Sequence, residues 1–155
     1  MATKQSRKPM VIGSTDRIDL PAFGIFDLPC KIDTGAQTSS IHCERFKIVE
    51  KDGIDYLTFK LLDKRFKSID RKTFKFRDFK EKKIRSSFGD EEFRYAVKST
   101  ILLFGKEYKI TFTLSNRGSM QYPVLIGKRF LKHKFLVDVS QHDLSYQYKM
   151  ANTAS

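Results

Sequence analysis

Along most of this chain, apolar side chains recur at every second position or in short runs, and each run is closed by glycine, asparagine or aspartate. A period of two places alternate residues on opposite faces of a strand, whereas a helix with one buried face needs a period near 3.6. The pattern therefore predicts strands over 10–13, 24–32, 41–49, 56–62, 94–104, 108–114, Val124–Ile126, 135–139 and 144–148. Turns are expected at Asp52-Gly53, Gly89-Asp90, Gly105-Lys106 and Asn116-Arg117-Gly118, each of which contains a residue that tolerates positive φ. Many short strands at such spacing point to an all-β chain folded as a small barrel or sandwich. One short helix is expected after Gly127, over 128–133, and it is too short to be stable without packing.

The 155 residues suit a single domain, expected to run over 10–149, with 1–9 and 150–155 as flexible tails. Hydrophobic residues make up 40% and include 14 Phe, enough to fill a core, which excludes a wholly disordered chain. No stretch approaches the roughly 20 apolar residues of a membrane span, and residues 1–10 are polar and basic without a leader's apolar centre. A cytoplasmic location is expected, and Cys30 and Cys43 are read as thiols in a reducing compartment. The formal charge of +12 calls for an anionic partner or substrate, with nucleic acid, anionic membrane and acidic peptide all compatible.

That charge is concentrated. Residues 60–85 hold 12 Lys/Arg against 4 Asp/Glu, a net +8 out of +12, and read as a basic insertion. Within it Phe74-Lys75-Phe76-Arg77 alternates rings and cations, so a strand here has rings on one face and charges on the other. The preferred reading is an edge strand or loop whose rings reach the core and whose charges are solvated and deter edge pairing. The alternative is a groove in which rings stack on bases and cations meet phosphates.

Two stretches carry chemistry. In Lys31-Ile32-Asp33-Thr34-Gly35-Ala36-Gln37-Thr38-Ser39 an apolar strand ends in a carboxylate, a hydroxyl and a glycine. The glycine permits a tight turn that brings backbone N–H groups to the acid. About 90 residues later, Pro123-Val124-Leu125-Ile126-Gly127-Lys128-Arg129-Phe130-Leu131 repeats the design of an apolar strand ending in glycine. Together, in an all-β chain, the pair resembles the retropepsin-like aspartic proteases. With Cys30 before the first motif and Ser40-Ile41-His42 after it, Ile84-Arg85-Ser86-Ser87-Phe88-Gly89, Phe112-Thr113-Leu114-Ser115-Asn116-Arg117, Tyr122 before the second motif and Phe135-Leu136-Val137-Asp138, the chain is similar to a bacterial retropepsin-like branch. That branch carries the label "ATP-dependent zinc protease" and is associated with RimK-type ligases, which add glutamates to protein tails. The likeness runs from about residue 11 to 146.

The resemblance implies a small closed barrel of the retropepsin-like type and an aspartic peptidase that hydrolyses peptide bonds in an acidic substrate, such as a glutamate tail. Such chemistry needs two carboxylates sharing a proton, and this chain has one Asp-Thr-Gly and no Asp-Ser-Gly. A homodimer is therefore implied, with Asp33 of each copy at the two-fold axis. By the same resemblance, Asp33, Thr34 and Gly35 form the catalytic loop, and Ala36 and Gln37 line the cleft. Leu125, Ile126 and Gly127 underlie Asp33, with Ile126 and Gly127 counted among the substrate-binding positions. Lys128 and Arg129 stand where retroviral relatives have one Arg, and Gln37 stands where they have an acid, so their inter-subunit ion pair is not carried over. A flap is expected over 84–95, and Arg85, Arg94 and Arg117 are candidates to meet substrate carboxylates.

The label's two other implications fail on the residues. There is no Gly-rich loop with Lys-Ser/Thr for a nucleotide phosphate and no His-Glu-x-x-His. Cys30, Cys43, His42, His133 and His142 lack the spacing of a zinc site, so neither cofactor nor metal is expected. Two readings compete with the peptidase: a non-catalytic binding module for nucleic acid or an acidic protein, and, less favoured, a metal-dependent hydrolase.

Overall fold

A computed structural model describes residues 8–61, 73–85, 89–116 and 121–153. Eleven strands are named here in chain order: β1 Met10–Ile12, β2 Thr15–Leu20, β3 Ile25–Ile32, β4 Ser39–Lys51, β5 Ile54–Leu61, β6 Thr73–Phe76, β7 Phe79–Arg85, β8 Glu91–Leu103, β9 Lys106–Ser115, β10 Val124–Ile126 and β11 Phe135–Val137. Two α-helices, α1 Lys128–Leu131 and α2 Leu144–Thr153, and one 3-10 turn, Pro21–Phe23, complete the described chain.

The closed barrel is present. Pairings run β10 to β3, β3 to β2, β2 to β8, β8 to β9, β9 to β4, and β4 back to β10, so six strands form a ring. Closure removes exposed edges, and it places a core of Ile18, Leu28, Ile41, Ile101, Phe112 and Ile126 inside, each with essentially no solvent exposure. The two longest strands leave the ring. Beyond Cys43, β4 pairs with β5, which carries β6 as an edge, and the first half of β8 pairs with β7 as a separate hairpin arm.

Local chemistry accounts for the turns. Asp52 and Gly53 both have positive φ and form the two-residue loop between β4 and β5, the conformation that matches strand twist. The next such loop is one residue earlier than expected. Phe104 and Gly105 take the positive φ values, and Leu103 pairs with Lys106. Phe104 tolerates this because its ring packs near Phe135 and Tyr148, and its N–H donates to Ser145 Oγ at 2.9 Å.

Two expectations need correction. Residues 144–148 are not a strand but the start of α2, which extends past the expected boundary to Thr153. Its first amides are satisfied by a carboxylate far away in sequence: Ser145 and Tyr146 N–H donate to Asp16 Oδ2 and Oδ1 at 3.0 and 3.1 Å. Further along, Lys149 Nζ reaches Asp19 at 2.9 Å and Asp27 at 2.7 Å. These same contacts explain β2, which the pattern did not predict. Its acids Asp16 and Asp19 are buried because α2 and neighbouring amides supply their partners.

The Phe-Lys-Phe-Arg run follows the preferred reading. Phe74 and Phe76 on edge strand β6 stack against Phe59 and meet Phe23 edge-on, whereas Lys75 and Arg77 are exposed. Lys75 Nζ sits 4.3 Å from the Tyr56 ring centre. Residues 62–72 of the basic segment lie outside the described residues, as do 86–88 and Arg117.

Candidate active site

Strand β3 delivers Asp33 to the end of the barrel, where three layers of backbone bonding hold its loop. The Asp33 N–H donates to Ile126 O at 2.8 Å, extending the parallel ladder of β3 and β10 by one bond. The Gly35 N–H donates to Asp33 Oδ1 at 2.9 Å, as the turn chemistry predicts. The first amides of α1 close the loop from the other side, Lys128 N–H to Ala36 O at 2.7 Å and Arg129 N–H to Gln37 O at 3.1 Å. Here α1 uses loop carbonyls for what an N-cap side chain would otherwise do.

Gly127 is the residue on which this packing depends. Its φ of −96° is open to any residue, so conformation is not the reason for glycine. A Cβ there would lie 2.7 Å from the carbonyl carbon and oxygen of Thr38 and 2.9 Å from Ala36 O, closer than atoms can approach. The backbone of β10 therefore passes directly under the Asp-Thr-Gly loop only because no side chain intervenes.

Asp33 opens into a cavity of about 890 Å³ between its own loop and the β7–β8 hairpin. Gly35, Ala36 and Gln37 line it from the loop, Lys82 to Arg85 from β7, and Arg94 from β8. The hairpin where a flap was expected thus lines the same cavity as Asp33, and its arms begin earlier, at Phe79, and pair through to Val97. Asp33 Oδ2 has no hydrogen-bond partner among the described residues.

The sequence-based candidates divide clearly. Asp33, Gly35, Ala36, Gln37, Arg85 and Arg94 share the cavity. Arg94 is already engaged, its Nε donating to Glu92 Oε1 at 2.7 Å and its Nη2 paired with the same oxygen. Thr34 is exposed and faces a separate cavity with Gln37, Lys128, Leu131 and Val137. Ile126 and Gly127 do not face the cavity; both are buried, and the β10 residue lining it is Leu125. Alternation along β10 turns Leu125 toward the cavity and its neighbours Val124 and Ile126 inward.

One residue at the site was not singled out as a ligand contact by the pattern. Arg129 lines the Asp33 cavity and both of its neighbours, and Lys82 lines two of the three. Burial, then the nearby cations of Arg129, Lys80 and Lys98, lower the Lys82 ammonium from its ordinary value. The available signal was the concentration of positive charge, which could not say which cations converge.

The zinc implied by the family label does not fit. Among the described residues no three His, Cys, Asp or Glu side chains converge on a point. Cys30 and Cys43 are wholly buried in the apolar core, where burial pushes the Cys43 thiol up to about 12 and Cys30 well above its ordinary value. His142 lies with its Nδ1 3.1 and 3.0 Å from the hydroxyls of Ser14 and Thr15. Among the described residues no helix is long and apolar enough to cross a membrane.

A family model described as RimB-like, "Retropepsin-like aspartic endopeptidase RimB", matches residues 11–147. A protein of Shewanella pealeana named "probable alpha-L-glutamate ligase" is 35% identical over 138 residues, covering 88% of this chain and 30% of that protein. A protein of the same name from Desulfotalea psychrophila is 31% identical over 131 residues, covering 83% of this chain and 28% of its own length. The chain thus spans less than a third of these relatives. The crystal structure of Lpg0085, a Legionella pneumophila protein of unknown function, superposes with a TM-score of 0.69 at 24% identity, over 89% of this chain and 99% of that one. That likeness concerns the fold alone.

Proposed function

The chain belongs to the RimB-like family of retropepsin-like aspartic endopeptidases, and on that premise we propose that it is an aspartic peptidase completed by a second copy of itself. The observation that carries this reading is Asp33, which accepts from Gly35 N–H at one oxygen and lines the cavity beside the β7–β8 hairpin. One carboxylate cannot serve as both base and acid at once. Two within hydrogen-bonding reach share a proton, because like charges at about 3 Å cannot both ionise.

In the proposed dimer, the ionised Asp33 takes a proton from a water whose oxygen attacks the scissile carbonyl carbon. The protonated Asp33 of the second copy gives its proton to the carbonyl oxygen. The gem-diol intermediate then collapses as the C–N bond breaks: the leaving nitrogen takes up the proton held by the base, and one hydroxyl of the gem-diol returns its proton to the second Asp33 as the carboxylic acid forms, restoring the shared proton. The exposure of Thr34 beside Asp33 supports a contact between the two catalytic loops across the axis.

The substrate we propose is an acidic peptide, a glutamate tail in particular. Arg85, Lys82 and Arg129 around the Asp33 cavity support this, as does the likeness of the chain to under a third of proteins named as glutamate ligases. The nucleic-acid alternative is disfavoured by Phe74 and Phe76, whose rings are packed against Phe23 and Phe59 rather than offered to bases.

The test compares wild type with Asp33→Asn on glutamate-rich peptides, with peptide products measured by mass. Loss of about 10²–10⁴-fold or more in rate is expected for an acid–base residue, together with a specific activity that falls on dilution as the dimer dissociates. Equal cleavage by the two proteins would refute the assigned chemistry.

A further inference from the structure

A second cavity, of about 690 Å³, adjoins that of Asp33 and shares Thr38, Lys82 and Arg129 with it. Its wall is the outer face of the β8–β9 ladder, where Lys98 pairs with Thr111 and Thr100 with Lys109. The two lysines therefore stand diagonally, each opposite a threonine, and Lys134 enters from beyond α1. No Asp or Glu is among the described residues lining it, whereas Lys82, Lys98, Lys109, Arg129 and Lys134 all are.

Cations are not gathered this way without cost. Like charges around a shared concavity repel, and a surface free of ligand normally intersperses acids among them. Among the described residues, no ion pair neutralises Lys82, Lys98, Lys109 or Arg129. The Lys82 ammonium is lowered from its ordinary value by burial first and then by the cations of Arg129, Lys80 and Lys98, in keeping with this crowding. An anion with several acceptor oxygens would answer this unneutralised charge.

We propose that this cavity is an anion subsite that holds carboxylate side chains of the substrate some residues away from the bond at Asp33, with Lys98 and Lys109 as its principal contacts. The inference rests on the peptidase reading in one respect, that the chain lying over Asp33 is a peptide. An extended peptide advances about 3.3 Å per residue and turns alternate side chains to the same side. A run of acidic residues passing Lys82 and Arg129 thus presents a carboxylate to this wall at every second position. Nucleic acid suits the cavity less well, because its only aromatic lining residue, Phe130, is 5% exposed and offers no face for stacking.

The experiment uses the full chain carrying Asp33→Asn, so that no probe is cut, and follows fluorescence anisotropy of a labelled oligoglutamate peptide. Adding Lys98→Gln and Lys109→Gln together is expected to weaken binding about tenfold or more, the scale of one or two charge-assisted contacts. Neutralising Lys47 and Lys51, exposed on the distal part of β4, removes the same charge and is expected to change it by less than about twofold. Equal weakening by the two pairs, or tighter binding of a single-stranded oligonucleotide of equal charge, overturns the subsite. The outcome is independent of catalysis. Should wild type, like Asp33→Asn, leave the peptide uncut, the peptidase reading falls while anisotropy still decides the anion subsite.

Discussion

The backbone N–H of Gly127 donates to Ser39 Oγ at 3.0 Å, joining positions 88 residues apart beneath the Asp33 loop. Ser39 also accepts at its carbonyl from Thr113 Oγ1 at 3.2 Å, so β4, β9 and β10 converge on this one residue. The loop holding Asp33 rests on that junction through Ala36 and Gln37, whose carbonyls are taken by α1.

Ser39→Ala leaves the Gly127 N–H buried without an acceptor. A loss of about 1–3 kcal/mol is expected, the cost of one unsatisfied buried donor. Urea unfolding of the two proteins measures it, as a lower midpoint at unchanged slope.

Gly127→Ala is expected to be at least as damaging, because the new methyl meets backbone atoms of Thr38 and Ala36, which cannot swing aside as a side chain would. Overpacking of this kind costs about 1–3 kcal/mol or more. Peptidase activity at a temperature where the variant remains folded should fall as well, since relief of the clash moves the Asp33 loop.

Arg85 and Arg94 border the same cavity but differ in availability. Arg94 is committed to Glu92, while Arg85 makes no ion pair with a described residue. Arg85→Gln should therefore raise KM for an acidic peptide more than Arg94→Gln does. Steady-state kinetics of the two variants decide this, and the reverse order would show that the Glu92 pair opens when substrate binds.

Both thiols should be unreactive in the folded protein. Thiolate is the attacking species, and burial keeps Cys30 and Cys43 protonated and inaccessible. Treatment with a thiol-reactive dye at pH 8 is expected to label neither cysteine until denaturant is added, when both react. Fast labelling of native protein would contradict the core assigned here.

Lys149 gives a pH dependence whose sign is fixed. Burial works against its charge, but hydrogen bonds to Asp27 and Asp19, with the pull of both carboxylates, outweigh it and raise the ammonium above 10.5. The folded state thus binds this proton more tightly than the unfolded state does, so the contribution is complete below 10.5 and is lost as pH rises through the raised value. The difference in Tm between wild type and Lys149→Met should be constant from pH 7 to 9 and shrink above about 10.5.

Much of the architecture could be read from alternation alone. Strands with one buried face carry their own signature, which is why Val124–Ile126 and the long ladders around Phe112 and Ile101 fall where the pattern puts them. The Asp33 turn is legible for a similar reason, since Asp-Thr-Gly bonds within itself. Strand β2 and α2 were not legible. The acids of β2 look solvated in sequence but are buried by α2, and Leu144, Tyr146 and Tyr148 alternate like a strand until Asp16 caps them as a helix.

What the sequence determined by itself was therefore everything governed by near neighbours: the strand period, the turn residues, the Asp-Thr-Gly loop and the amount of positive charge. Only the tertiary structure decided which distant groups share a site. It set Arg85 and Lys82 of the hairpin opposite Asp33, buried Ile126 while turning Leu125 outward, and gathered Lys98, Lys109 and Arg129 around one cavity. Barrel closure is the physical reason, because β3, β4, β8, β9 and β10 come together only when the ring of backbone hydrogen bonds is complete.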